Sequence, residues 1–305
     1  MINTDFNTIL DLINAFPDEQ ACIDHLESLR WEDGLVISPF DADSKVYKCA
    51  NNRYRCKETG KYFNVKTSTL FDNTKVKLQK WFLAIWLVTS HKKGISSVQL
   101  SKDIGVTQKT AWFMLQRIRN CFGFDNDNDL TNEVEVDETY IGGKNKNKHN
   151  SNKVKGTQGR STKDKAPVFG MIERGGKLNA KHVEDVTVRT LTNEIVNYVN
   201  DATIYSDEWL GYNALKRIYD HQFIKHGQGQ YVNGRVHTNT IEGFWSLLKR
   251  GIIGIYHFTS VKHLQKYVDE FVFRYNTRNS SEGSRFNLLL ANTEYRLRYE
   301  DLING

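Results

Sequence analysis

Three acidic residues stand where their side chains can do chemistry. Asp137 lies inside the alternating run VEVDETYIGG, Asp207 closes ATIYSD 70 residues later, and Glu242 follows after 35 more, near the start of NTIEGFWSLLKRG. A single Asp is more often a turn or cap residue than a catalytic group. A carboxylate in the middle or at the end of a strand, beside Val136 and Tyr140, serves poorly as a mere solubilising group. Two or three such acids brought together repel one another, and a divalent cation is the usual remedy. Hard oxygen donors suit Mg²⁺ or Mn²⁺. Paired ions of this kind activate an attacking oxygen and stabilise a leaving one in phosphoryl transfer. Lys249 follows Glu242 by seven residues. That is close to two helical turns, so both project from one face. An intrahelical ion pair needs a spacing of three or four, so the lysine is better placed to grip a phosphate.

Such residues need a framework, and the chain has the means to build one. Its 305 residues are 39% hydrophobic, 12% aromatic and 26% charged. That composition excludes a disordered chain and fits two or three domains with a real core. No apolar run approaches the roughly 18 residues of a membrane span. The opening MINTDFNTILDLINAF lacks a basic start and carries acids, so no signal peptide is expected. Cys22, Cys49, Cys56 and Cys121 are irregularly spaced, which excludes a secreted disulfide scaffold and points to a reducing cytoplasm. The net charge of +6 is unevenly spread: residues 1–34 hold eight acids and one base, residues 45–80 ten bases and two acids, residues 142–165 eight bases and one acid. An acidic end followed by two basic blocks suggests contact with a polyanion such as nucleic acid, although any one block alone is equally a solvated surface.

Helical spacing of Phe6, Ile9, Leu10, Ile13 and Phe16, and then of Cys22, Ile23, Leu26 and Leu29, predicts N-terminal helices over residues 1–30. The runs KVYKCA, NRYRCKET and KYFNVKT predict short antiparallel strands in a small unit over residues 31–75. Residues 76–124 are expected to be helical. Within them SSVQLSKDIGVTQKTAWFMLQRIRN predicts a helix-turn-helix, with Gly105 in the turn and Gln108, Lys109 and Thr110 at the recognition end. The polar stretch CFGFDNDNDLTN marks a boundary. Beyond it residues 133–280 read strand, strand, strand, helix, strand, helix, strand, helix, a mixed α/β domain. Residues 144–165 read as a loop, and residues 281–305 as a C-terminal tail.

The strings WFLAIWLVTSHKKGISSVQLSKDIGVTQKTAWFMLQRIR, EVDETYIGGK, APVFGMIER, YSDEWLGY and HTNTIEGFWSLLKRGI together resemble bacterial insertion-sequence transposases of the DDE type with an N-terminal zinc ribbon, the IS1595 group with its ISXO-type transposase domain. The resemblance runs from about residue 30 to residue 278. It implies an RNase H-like catalytic domain with flanking helices, a DDE triad with a following lysine, a divalent metal and binding to transposon ends. The triad then falls on Asp137, Asp207 and Glu242, which serve as catalytic groups and metal ligands. Lys249 and Arg250 become DNA contacts, joined by Lys144 in the basic loop. The implied protein binds terminal inverted repeats, cleaves and transfers DNA strands, works as a homo-oligomer on DNA and resides with the nucleoid. The rival reading is a catalytically silent DNA-binding regulator descended from a transposase.

One departure from the family stands out. Its ribbon carries two Cys-x-x-Cys knuckles, which align here with Ser38 and Asp41 and with Cys56 and Thr59. A structural zinc site needs about four soft ligands, so no zinc is expected and the ribbon is expected to keep only its strands. His237 and Asn239 resemble family positions near the active site. Either one orients a site carboxylate, or His237 is a satisfied helix-start residue and Asn239 a helix cap. Trp245, with Phe244 and Leu248, is expected in the core rather than stacked on a base.

Overall fold

Most helices begin where the sequence offers an oxygen to an orphaned backbone N–H. The side chains of Thr8, Asp18, Ser96, Thr107, Thr187 and Ser281 accept from the third residue after each and start α1 (Ile9–Ala15), α2 (Glu19–Arg30), α4 (Ser97–Ile104), α5 (Gln108–Arg119), α6 (Val188–Tyr198) and α9 (Glu282–Ala291). The remaining helices are α3 (Leu78–Ser90), α7 (Asn239–Gly251), α8 (Val261–Asn276) and α10 (Tyr299–Asn304). The strands are β1 (Val46–Cys49), β2 (Arg53–Cys56), β3 (Tyr62–Phe63), β4 (Leu130–Ile141), β5 (Ala166–Glu173), β6 (Leu178–His182), β7 (Val199–Asp207) and β8 (Asp220–Ile224). The computed structural model describes residues 6–143, 150, 153, 165–225, 227 and 232–304. They form two units, one of residues up to 122 together with 279 onward, the other of residues 123–278.

In the first unit β1, β2 and β3 form an antiparallel ribbon in which Tyr47 pairs with Arg55 and Arg55 with Tyr62. Alternation turns Tyr54, Cys56 and Phe63 inward. Ser38 and Asp41 form an isolated bridge. Burial pushes the Cys56 thiol up, but hydrogen bonds from Ser44, Thr59 and Ser38 outweigh it and bring the thiol down to about 7. Of the four knuckle positions Ser38, Asp41, Cys56 and Thr59, only Cys56 offers a thiol. Helix α3 is apolar nearly all round and buries Trp81, Phe82, Ile85 and Trp86. Helices α4 and α5 are joined through Gly105, whose φ of 61° lies in the left-handed region that favours glycine. Residues 281–305, expected as a tail, instead complete this core. Phe286 of α9 sits 5.3–6.2 Å, centroid to centroid, from Phe6, Phe16, Phe82 and Trp86. The apolar run FNLLLA explains why this segment packs rather than trails.

The second unit is a three-layer mixed α/β structure. Its five-stranded sheet has the order β6-β5-β4-β7-β8, antiparallel across β6, β5 and β4 and parallel across β4, β7 and β8. One face buries Val134, Val136, Phe169 and Met171 against Leu191 and Ile195 of α6. The other buries Val168 and Ile172 against Phe244, Trp245 and Leu248 of α7 and Val268 and Phe271 of α8. Helix α7 is α-helical to Gly251, and the chain continues π-helical over Ile252–Tyr256. The run QFIKHGQGQYV is strand only as far as Ile224, and residues 226 and 228–231 of it lie outside the described residues. No described helix is long and apolar enough to cross a membrane.

Candidate active site

The sheet register sets the first two acids side by side. Glu135 of β4 pairs with Tyr205 of β7 in the parallel ladder, so two residues further on Asp137 and Asp207 reach the same end of neighbouring strands. Glu242 and Lys249 come from α7, which crosses the sheet beneath them. Its close approach depends on Gly170, the β5 partner of Asp137, where an added Cβ would stand 2.6 Å from the Trp245 ring. Trp245 is buried, as expected of a core residue, but its indole N–H also donates to Asp137 Oδ2 at 3.0 Å. Asp137, Asp207, Glu242 and Lys249 line one open cleft of about 410 Å³, together with Glu138 and Ser246.

The cleft is electrostatically strained. Burial, then the neighbouring Glu138 and Asp207, push the Asp137 carboxyl up to about 8, against the Trp245 hydrogen bond that favours its charged form. Glu138 is itself buried and accepts from the Tyr212 hydroxyl at 2.7 Å. Burial pulls Lys249 down, opposed by the attraction of Asp137. Glu242 accepts from the Thr238 hydroxyl at 3.2 Å. Among the described residues no three His, Cys, Asp or Glu side chains converge as a closed cation cage. That arrangement still fits Mg²⁺, which keeps several waters and is held by one or two carboxylates plus substrate phosphate. Besides burial, the like charges of Glu138 and Asp207 push Asp137 up, a repulsion that a nearby cation would relieve.

The other expected site residues are distributed as follows. Asn239 is the first residue of α7 and not its cap; Thr238 holds the cap position, and its side chain accepts no capping hydrogen bond. The cap is supplied from β4, where Glu135 Oε2 accepts the N–H groups of Thr240 at 2.8 Å and Ile241 at 3.0 Å. His237 lies beside it, its Nδ1 3.2 Å from Glu135 Oε1 and 3.2 Å from an Arg174 nitrogen. Arg250 is exposed on α7. Gln108, Lys109 and Thr110 fall in the first turn of α5, in the other unit, where Gln108 donates to the Ser97 hydroxyl at 2.8 Å and the Lys109 ammonium lies 5.6 Å from the Tyr299 ring. Lys144 lies outside the described residues. Sequence reasoning missed Glu135, Glu138, Arg174 and the Trp245 hydrogen bond. A signal existed for Glu135: period-two alternation places it on the face of Asp137.

Residues 129–276 match the ISXO2-like transposase domain. A protein of the transposable element ISH50 of Halobacterium salinarum, itself uncharacterised, is 32% identical over 254 residues, spanning 78% of this chain and 84% of the relative. The chain belongs to the ISXO2-like, or IS1595, transposase family. Among solved structures it shows slight likeness to a chain of the Mos1 strand transfer complex (TM-score 0.27, 11% identity, 94% of this chain and 96% of that one). A chain of a pre-cleavage Mos1 transpososome gives a TM-score of 0.25 at 12% identity, with 98% and 100% covered.

Proposed function

We propose that this transposase binds the terminal inverted repeats of its element and catalyses metal-dependent DNA cleavage and strand transfer in the cleft of Asp137, Asp207 and Glu242. The observation that carries the reading is the meeting of these acids and Lys249 in one open cleft. A divalent cation held by Asp137 and Asp207, with Glu242 completing a second position, would supply Lewis acidity to the scissile phosphate. The chain's own residues position the reactants. Trp245 orients Asp137 through its indole N–H, and Lys249 offers a cation to the phosphate beside the one attacked. In cleavage, water oxygen bonds to phosphorus and the 3′ oxygen leaves as a hydroxyl. In transfer, that hydroxyl bonds to a target phosphorus and expels a target 3′ oxygen. Each step exchanges one P–O bond for another, so no covalent protein–DNA intermediate is required.

The order of three antiparallel strands followed by two parallel to the first supports an RNase H-like fold for residues 123–278. The residues at the start of α5, Gln108, Lys109 and Thr110, are the readers of the terminal repeat in this proposal, with Arg250 and Lys144 on the phosphate backbone. Two ends must be held at once, which calls for a homo-oligomer on DNA. The test is strand transfer by the full chain on end-containing DNA with Mn²⁺. Joined products support the reading; end binding with no cleavage by the wild type points instead to a silent DNA-binding regulator.

A further inference from the structure

We infer that Arg174, with Glu135, is a positioning device that sets the spacing of the three acids; the inference rests on reading their cleft as catalytic. Arg174 follows β5 directly and touches all three segments that carry them. Its Nε donates to Glu135 Oε1 at 2.8 Å, and Glu135 lies two residues before Asp137 on β4. Its guanidinium lies 4.0 Å from the Tyr205 ring centroid, and Tyr205 lies two residues before Asp207 on β7. Its terminal nitrogens donate to the carbonyls of Arg235 and His237, both at 2.8 Å, on the segment that leads into α7 and Glu242.

Glu135 completes the device. It is fully buried, and neither carboxylate oxygen is idle. Oε1 takes Arg174 and the Thr240 hydroxyl at 2.9 Å, while Oε2 takes the first N–H groups of α7. A carboxylate at a helix N-terminus is favoured by the helix dipole, so this contact pins α7 to β4 at one angle. A buried ion pair is weak as a source of stability, because well-packed apolar side chains do as well. A planar guanidinium is, however, the group that can bind a carboxylate, two carbonyls and a ring face together. Rigid placement is what a three-acid cation site needs and what a merely folded core does not.

The experiment compares the wild type with Arg174→Lys and Glu135→Gln in the full chain. It measures Mn²⁺ binding to DNA-free protein by titration calorimetry, strand transfer on end-containing DNA across Mn²⁺ concentrations, end binding and thermal melting. Lysine keeps the charge but cannot reach every partner at once. The expected result is weaker Mn²⁺ binding and slower transfer, each by about 10- to 100-fold, with end binding within about twofold of wild type. Unchanged Mn²⁺ binding and an unchanged transfer rate alongside a lowered melting temperature would make the pair structural only and overturn the inference. Should both variants fail to fold, Thr240→Val and Tyr205→Leu each loosen one arm. A weakened Mn²⁺ affinity in either supports the device, and wild-type affinity in both overturns it. A wild type that binds Mn²⁺ yet transfers no strand defeats the proposed function while the calorimetric comparison still decides the positioning role. A wild type that binds no Mn²⁺ overturns both.

Discussion

Two polar clusters in this chain shift their acids in opposite directions. In the ribbon of the first unit Cys56 is buried, yet the hydroxyls around it bring its thiol down to about 7. In the sheet of the second unit Asp137 is pushed up to about 8 by burial and by the acids beside it. In the ribbon, the hydroxyl-bearing side chains of Ser44, Thr59 and Ser38 favour the charged form of the Cys56 thiol. The cleft cluster is self-repelling, and its members are held together only because β4, β7 and α7 are fixed by packing elsewhere. The family's zinc ribbon and the family's catalytic cleft are both metal sites in principle. Here the first holds Ser38, Asp41 and Thr59 beside Cys56, while the second keeps all three of its acids. In the proposed function, the cleft whose acids the fold keeps in conflict is where a cation would act.

The comparison breaks most visibly if the cleft acids prove dispensable. Asp137→Asn, Asp207→Asn and Glu242→Gln each keep the side-chain shape and remove the charge. Each should lower strand transfer by at least about 1000-fold, close to complete loss, while end binding stays near wild type. Wild-type cleavage by any one of them would remove that residue from the ligand set.

A smaller loss tests orientation rather than charge. Trp245→Phe keeps the packing on Gly170 but deletes the N–H that holds Asp137 Oδ2. Transfer should fall roughly 10-fold, with stability changed by about 1 kcal/mol. A rate equal to wild type would mean that the indole only fills space. Lys249→Ala should weaken end binding and flatten its salt dependence by about one unit of slope; an unchanged slope would exclude a phosphate contact.

Much of the cleft was legible because each acid sits in a local pattern that declares its element. Asp137 interrupts a strand alternation, Asp207 ends one, and Glu242 and Lys249 share a helical face. The supporting residues were not legible, since their partners are far apart in the chain. Arg174 meets Glu135 across 39 residues and Trp245 meets Asp137 across 108. Such pairs follow from the sheet register and from where α7 lands, neither of which a local spacing encodes. The helix cap fails for the same reason: the helix borrows Glu135 from β4, so Asn239 looked like the only candidate. The ribbon strands were readable from alternation, whereas the return of α9 into the first core depends on a contact of Phe286 with Phe6, 280 residues apart.

Titration sharpens the contrast. For Asp137 the folded acid binds its proton up to about pH 8, while the unfolded one releases it near the ordinary carboxyl value of 3.8. Between those values the native state holds more protons, so stability falls as pH rises, levelling off above pH 8. Asp137→Asn removes the cost and should stabilise the protein at pH 8 by about 1–3 kcal/mol, seen as a higher melting temperature in the absence of divalent ions. At pH 4 the gain should vanish. A variant no more stable than wild type at pH 8 would show that the cleft carries no strain.

The ribbon should show the smallest response. Its four knuckle positions hold one thiol, two hydroxyls and a carboxylate, and structural zinc sites take about four soft or imidazole ligands. Chelation should therefore leave the melting temperature of the full chain unchanged, and elemental analysis should find no zinc at one equivalent. Cys56 contributes in the opposite sense to Asp137. Its folded acid is depressed from 9.0 to about 7, so its contribution is fully present above pH 9 and is lost as pH falls through 7. Cys56→Ser trades the thiol for another hydroxyl among Ser38, Ser44 and Thr59, and should remove that pH dependence while leaving the melting temperature near wild type. Zinc at one equivalent, with a large fall in melting temperature on chelation or in Cys56→Ser, would place a metal where the hydroxyls now satisfy one another and erase the distinction between the two clusters.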